Sequence, residues 1–184
     1  MAKGKGVYVE WSWVAGGGAT IISVETAVVA LGARFFSPVG KLGLRGGPGG
    51  LIEVRWLRSG ESWPREQHPV LAQAAAALEQ YFSGRQMSLE VPLDVSALTP
   101  FRRRVMLTLR AQVPPGEVVS YGELACLVGH PGAARAVGGV MAHNPLPLFV
   151  PCHRVVGVNG PGGFGPGLRC KQALLRHEGF ELDI

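Results

Sequence analysis

Apolar positions along this chain follow two different periods. Through the first sixty residues they come as short β-branched or aromatic runs, at 7–13, 20–24, 27–31 and 51–57, separated by glycine. Runs of that kind, bounded by turn residues, predict strands. Gly16-Gly17-Gly18 and Gly46-Gly47-Pro48-Gly49-Gly50 predict loops or hairpin ends, and nothing after them reads as a phosphate-binding helix start. From residue 69 the period lengthens. Leu71, Ala75, Leu78 and Phe82 share one stripe, which predicts a helix over 69–82 ending near Gly84. Residues 85–100 then read as an extended linker.

The second half is patterned as helices. Thr99-Pro100 places proline at a first helical position, Phe101, Val105, Met106 and Leu109 line one face, and Pro114-Pro115-Gly116 stops the helix. Ser120-Tyr121-Gly122-Glu123 has the spacing of a capping box, so a short helix is predicted to run to Val128. Gly129-His130-Pro131-Gly132 turns the chain into a second helix over 133–142, the outline of a helix-turn-helix. The expected architecture is an α/β domain over 1–92, a small antiparallel sheet plus a helix. A mostly helical domain over 93–184, winged-helix-like, carries the helix-turn-helix.

Composition narrows the class. Apolar content of 47% with 17% charge describes an ordered globular chain. No apolar run approaches the roughly 20 residues that cross a bilayer, and Met-Ala-Lys-Gly-Lys has no apolar stretch behind its charges, so a cytoplasmic, chromosome-associated protein is expected (nuclear if eukaryotic). The formal charge of +5 suits a polyanionic partner without requiring one. Cys126, Cys152 and Cys170 form neither a disulfide framework nor a zinc spacing, and neither metal nor cofactor is expected. Cys126 and Cys170 read as small core residues, although spacing leaves a pairing between them open.

The chemistry concentrates at Pro151-Cys152-His153-Arg154-Val155, entered by the apolar run 146–150, which reads as a buried strand. A cysteine followed by histidine on a proline-bounded segment suggests a positioned thiolate, since a free thiol near pKa 8.5 needs a neighbouring base or cation to react. Glu178 lies at the end of a helix starting near Leu168, where it completes a Cys-His-Glu relay or is an ordinary surface carboxylate. Upstream, Ala133-Ala134-Arg135-Ala136-Val137-Gly138-Gly139 offers small residues and one long cation, and none of the Asn, Gln or Lys that read base edges. That suits a minor-groove helix that flips a nucleotide, or equally a packed core helix with a solvated arginine. Asn144-Pro145 reads as a turn, or as an amide that ties backbone on both sides. Tyr121 is either a core aromatic or a group reaching a phosphate or base edge.

The stretch from Thr99 to Gly179 resembles the O6-alkylguanine-DNA alkyltransferases, through Val-Ser-Tyr-Gly-Glu-Leu-Ala at 119–125, Ala-Arg-Ala-Val-Gly-Gly at 134–139, Asn144-Pro145, Pro-Cys-His-Arg-Val at 151–155 and Lys171…Leu174-Leu175…Glu178-Gly179. The first half fits that family's α/β domain through the helix ending Tyr81-Phe82-Ser83-Gly84. The resemblance implies a monomeric single-use repair protein acting on double-stranded DNA that contains O6-alkylguanine. Cys152 would attack the alkyl carbon of a flipped guanine and keep the group, with no cofactor. Arg135 would fill the gap in the duplex, with Ala133, Ala134, Gly138 and Tyr121 against the DNA, and Asn144 would brace the hinge. His153, linked through a water to Glu178, would hold Cys152 as thiolate, and Tyr121 would help the guanine depart. The carbonyls of Cys152 and Val155 would accept from the exocyclic amine. Residues 162–167 would form the pocket lid, with Phe164 and Gly165 standing where the family usually has tyrosine and a larger residue such as serine. A lesion-binding protein without transfer, a thiol hydrolase and a helix-turn-helix regulator are the competing readings. Cys152, the irreversibility of a thioether and the lack of base-reading side chains weigh against them in turn.

Overall fold

The computed structural model describes residues 11–14, 18–21, 34–63 and 68–182. Strands β1 (Trp11–Val14) and β2 (Gly18–Ile21) form an antiparallel pair. The strand expected over 27–31 lies outside the described residues. Strands β3 (Arg34–Ser37), β4 (Gly40–Gly47) and β5 (Gly50–Trp56) form an antiparallel sheet in that order, with the Gly46–Gly50 run turning β4 into β5.

Strand β4 has little β propensity, being half glycine, and the sequence pattern passes over it. Its glycines answer to what lies on the strand. A Cβ at Gly43 would stand 2.5 Å from the indole of Trp63, and one at Gly46 would stand 2.6 Å from Val70. Trp63 Nε1 also donates to the Leu44 carbonyl at 2.9 Å, so the indole is clamped flat on the strand.

Helix α1 (Pro69–Phe82) starts with proline at its first position and ends as the stripe predicted. It packs on β4 and β5 and buries Val70, Leu71, Ala74, Leu78, Tyr81 and Phe82. Ala74, not the expected Ala75, continues the buried stripe, because the buried face follows the i, i+4 row from Val70 to Ala74 to Leu78. Downstream the chain is extended and pinned. Leu51 N–H donates to the Pro92 carbonyl at 2.8 Å, and Asp94 N–H donates back to the Leu51 carbonyl at 2.9 Å.

Helix α2 (Pro100–Gln112) buries Val105, Met106 and Leu109. Its arginines fasten the linker: Arg110 donates to the carbonyls of Leu89 and Val91 at 3.1 Å each, and Arg103 to that of Ser96 at 2.9 Å. Phe101 is half-buried, edge-on to His130 at 5.4 Å. Strand β6 (Val119–Ser120) leads into α3 (Tyr121–Leu127) through the predicted capping box. Ser120 Oγ accepts from Glu123 N–H at 3.1 Å, and the Glu123 carboxylate accepts from Ser120 N–H at 2.8 Å. The turn at 128–133 delivers α4 (Ala134–Ala142), completing the helix-turn-helix. A 3-10 turn (Cys152–Arg154) leads to strand β7 (Val155–Val156), and α5 (Leu168–His177) follows. The sheet of this half is a two-residue parallel ladder between β6 and β7.

One apolar core runs through both halves, from Leu42, Leu44 and Leu78 to Met106, Leu124 and Val150. Val54 N–H in β5 also donates to the Pro145 carbonyl at 2.7 Å. That bond sets the N-terminal sheet against the loop carrying Asn144. No helix among the described residues is long and apolar enough to cross a membrane.

Candidate active site

The apolar run before Pro151 is a compact turn and not the strand expected of it. Leu148 sits in the left-handed region at φ 73°, the sole non-glycine residue to do so among those described, which costs about 1–2 kcal/mol. The turn is closed by Val150 N–H donating to the Leu146 carbonyl at 2.8 Å and by the Asn144 amide. Asn144 Nδ2 donates to the Val150 carbonyl at 2.9 Å, and its Oδ1 accepts from Leu146 N–H at 2.9 Å. An alternating strand could not use that amide twice; a turn can, and Leu146, Leu148, Phe149 and Val150 all bury their side chains in it.

The turn feeds Cys152 into the 3-10 segment, where it is 7% exposed. Burial pushes its thiol above the ordinary 9.0, while the Asn144 amide and the Lys171 ammonium pull the other way. The resting protein therefore holds a thiol, not the standing thiolate suggested by sequence, because desolvation outweighs the flanking donors.

Behind the thiol is a buried polar cluster. His153 Nε2 donates directly to Glu178 Oε1 at 2.9 Å, so no water stands between them. Burial lowers the His153 pKa, against the pull of Glu178, and leaves a neutral ring at neutral pH. Because the ionised carboxylate can only accept, the ring proton sits on Nε2 and the bare nitrogen is Nδ1, which has no protein partner. Glu178 resists burial through its donors. Desolvation raises its pKa, but the hydrogen bonds and charges of His153 and Arg154 prevail and hold it at about 2. Arg154 grips both oxygens, Nε to Oε2 and Nη2 to Oε1, at 2.8 Å each, and its Nη1 donates to the Val113 carbonyl at 2.6 Å. Tyr81 Oη donates to Glu178 Oε1 at 2.6 Å.

Lys171 is fully buried, its ammonium bonded to the carbonyls of Val155, at 2.6 Å, and Pro161. Burial lowers its pKa to about 8, so it keeps its charge at neutral pH. The Val155 carbonyl thus already has one donor, as does that of Cys152, which accepts from Val155 N–H.

In front of the thiol opens a pocket of about 630 Å³. Cys152, Asn144, Tyr121, Gly138, Met141, Phe164 and Gly165 line it, together with Trp56, Arg55 and Arg58 from the end of β5 and the loop after it. Tyr121 is half-buried against Gly138 and the glycines of 162–163; a Cβ at Gly162 would stand 3.0 Å from its ring and hydroxyl. Phe164 meets Trp56 edge-on at 5.7 Å and His153 at 6.3 Å. On α4, Arg135 is exposed, and Ala133 and Ala134 are partly exposed.

The structure therefore brings Cys152, Asn144, Tyr121, Phe164 and Gly165 to the wall of one pocket, with His153, Glu178 and Val155 buried behind the thiol. Cys126 is exposed on α3 and Cys170 is half-buried, so the core reading fails for Cys126; both are free thiols. Sequence reasoning missed Tyr81, Trp56, Arg154 and Lys171 as parts of the site. Arg154 and Lys171 belonged to quoted motifs. Tyr81 and Trp56 arrive from distant elements, and only the fold could bring them here.

Comparison with known proteins places the chain in a family. The family model described as 6-O-methylguanine DNA methyltransferase, ribonuclease-like domain, matches residues 34–95, and that described as its DNA binding domain matches residues 100–180. A methylated-DNA–protein-cysteine methyltransferase of Homo sapiens is 40% identical over 163 residues, 79% of this chain and 79% of its own length. Its counterpart in Shigella flexneri is 46% identical over 106 residues, 57% of this chain, and the match spans 61% of that relative's length. Among solved structures, Mycobacterium tuberculosis OGT in complex with DNA aligns with a TM-score of 0.69 at 40% identity, covering 79% of this chain and 90% of that one.

Proposed function

Because this chain belongs to the 6-O-methylguanine DNA methyltransferase family, we propose that it repairs DNA by direct reversal, transferring the alkyl group of O6-alkylguanine irreversibly to Cys152. The observation that carries this reading is a buried thiol opening on a pocket of about 630 Å³ with a neutral histidine base behind it.

The proton leaves the Cys152 thiol for His153 Nδ1 through one water, and Glu178 supports the imidazolium formed. The sulfur attacks the alkyl carbon, the C–O6 bond breaks, and its electron pair stays with guanine. Guanine takes up one proton, delivered by the Tyr121 hydroxyl and replaced from the imidazolium. The thiol proton thus ends on the base and the alkyl group on sulfur. Nothing regenerates a thioether, so each chain acts once.

Double-stranded DNA is the partner. Arg135, exposed on α4 among Ala133, Ala134 and Gly138, enters the stack as the nucleotide turns out; Asn144 braces the hinge between α4 and the thiol. Phe164 supplies a stacking face in the lid, and Gly165 leaves the wall beside it open. The carbonyls of Cys152 and Val155 accept the exocyclic amine on their second lone pairs. The working unit is a monomer with its domain boundary near residue 92, acting on the chromosome in the cytoplasm.

Intact and peptide mass spectrometry after mixing with duplex DNA carrying one O6-methylguanine tests the reading. One methyl per chain, located on Cys152 and absent from Cys152→Ala, is expected. Tight lesion binding with unchanged protein mass would replace it with the lesion-binding reading.

A further inference from the structure

Glu178 Oε1 is shared. It accepts from His153 Nε2 at 2.9 Å, from Arg154 Nη2 at 2.8 Å and from Tyr81 Oη at 2.6 Å. Tyr81 comes from α1, 97 residues upstream, and is 1% exposed. Its ring is held edge-on to Phe82 and to His177, both at 5.0 Å, and His177 Nε2 donates to its carbonyl at 2.7 Å. For packing alone a phenylalanine would fill the same space. The hydroxyl adds one thing, a bond to the carboxylate that supports His153.

Donors on one oxygen compete. The Tyr81 hydrogen bond draws charge from Oε1 and weakens the support that oxygen offers an imidazolium. Arg154 already fixes the carboxylate plane through both oxygens, so the hydroxyl tunes His153 as well as steadying it. We infer that Tyr81 is a positioning residue of the proton relay, through which the N-terminal sheet-and-helix half holds Glu178 under His153 and keeps that histidine a free base. The inference rests on the alkyl-transfer reading and deepens it.

Other ionisable groups face this cluster. Cys152 and Arg154 come from the 3-10 turn, and Cys170, Lys171 and His177 from α5; Arg154 and Lys171 both disfavour a charged His153. Tyr81 itself feels Arg154 and Cys170 besides Glu178. Tyr81→Phe leaves all of them in place.

The test is the single-turnover rate of methyl transfer from duplex DNA against pH, for the full chain and for Tyr81→Phe, beside a 15N NMR titration of the His153 ring without DNA. Removing the hydroxyl strengthens the Glu178–His153 interaction. The acidic limb and the ring titration are both expected to move up by about half a unit, a fraction of what one bond to a charged group produces. Site-specific 3-fluorotyrosine, a stronger donor with the same ring, should move both down; it also carries the test if the phenylalanine variant fails to fold. Coincident limbs and coincident titrations would overturn the inference, and so would a slower plateau on an unmoved limb. If the parent chain transfers nothing, the alkyl-transfer reading falls, and the NMR titration still decides whether Tyr81 tunes His153.

Discussion

Replacing Glu178 by glutamine is expected to change both the stability of the protein and its dependence on pH. The carboxyl is depressed from its ordinary 4.5 to about 2, and its side chain is 0% exposed, so solvent does little to screen its partners. A difference of about 2.5 units corresponds to about 3 kcal/mol of stability. Its sign follows from the direction of the shift. A carboxyl with a lowered native pKa stabilises the fold fully above its unfolded value and loses that contribution as pH falls through the native one, here between 4.5 and about 2. By about pH 3, about 2 kcal/mol should already be gone. Glutamine removes this dependence and strands Arg154, 6% exposed, without its anion, a change that costs about 3–5 kcal/mol for a buried pair. Urea unfolding of both proteins at a series of pH values, without DNA, reads the effect as the difference between them. That difference should be largest at neutral pH and shrink by about 2 kcal/mol on acidification to about pH 3, at equal m-values. A difference constant across this window would refute the reasoning, because the native carboxyl would then titrate as it does in the unfolded chain.

Arg135→Ala should slow transfer from duplex DNA by at least about tenfold, since unstacking a nucleotide costs a few kcal/mol. Reaction with free O6-benzylguanine should barely change, and equal loss on both substrates would make Arg135 structural. Gly162→Ala forces a side chain onto φ 69° and within 3.0 Å of Tyr121. Thermal melting should report a loss of about 1–2 kcal/mol, together with a slower single-turnover rate; an unchanged rate would separate the lid from Tyr121.

Much of the second half was legible because its signals are local. The capping box at Ser120 and Glu123 and the proline opening α2 are written within a few residues of where they act. What escaped depends on distant parts. Strand β4 was hidden because its glycines make room for Trp63 and Val70, and neither can be inferred from Gly-Lys-Leu-Gly-Leu-Arg-Gly-Gly. The run 146–150 reads as a strand because its residues are apolar, and it turns because Asn144 satisfies two backbone groups that a sheet would otherwise pair. Arg154 and Lys171 carry charges that usually mark surface, and only the placing of Glu178 and of loop carbonyls makes their burial tolerable.

Under the proposed transfer, those buried charges would also let a protonated thiol become a nucleophile on demand. With His153 neutral, the groups behind Cys152 are Arg154 and Lys171 against Glu178 alone, one net positive charge in a buried site. Arg154 is committed to Glu178 and Val113, which leaves the Lys171 ammonium as the charge that acts on the thiol. Desolvation keeps the proton on sulfur while the pocket is empty. If His153 takes that proton, as proposed, the excess grows to two positive charges facing one thiolate, at an effective dielectric far below that of water. The same burial that silences the resting thiol therefore strengthens the field that stabilises its anion.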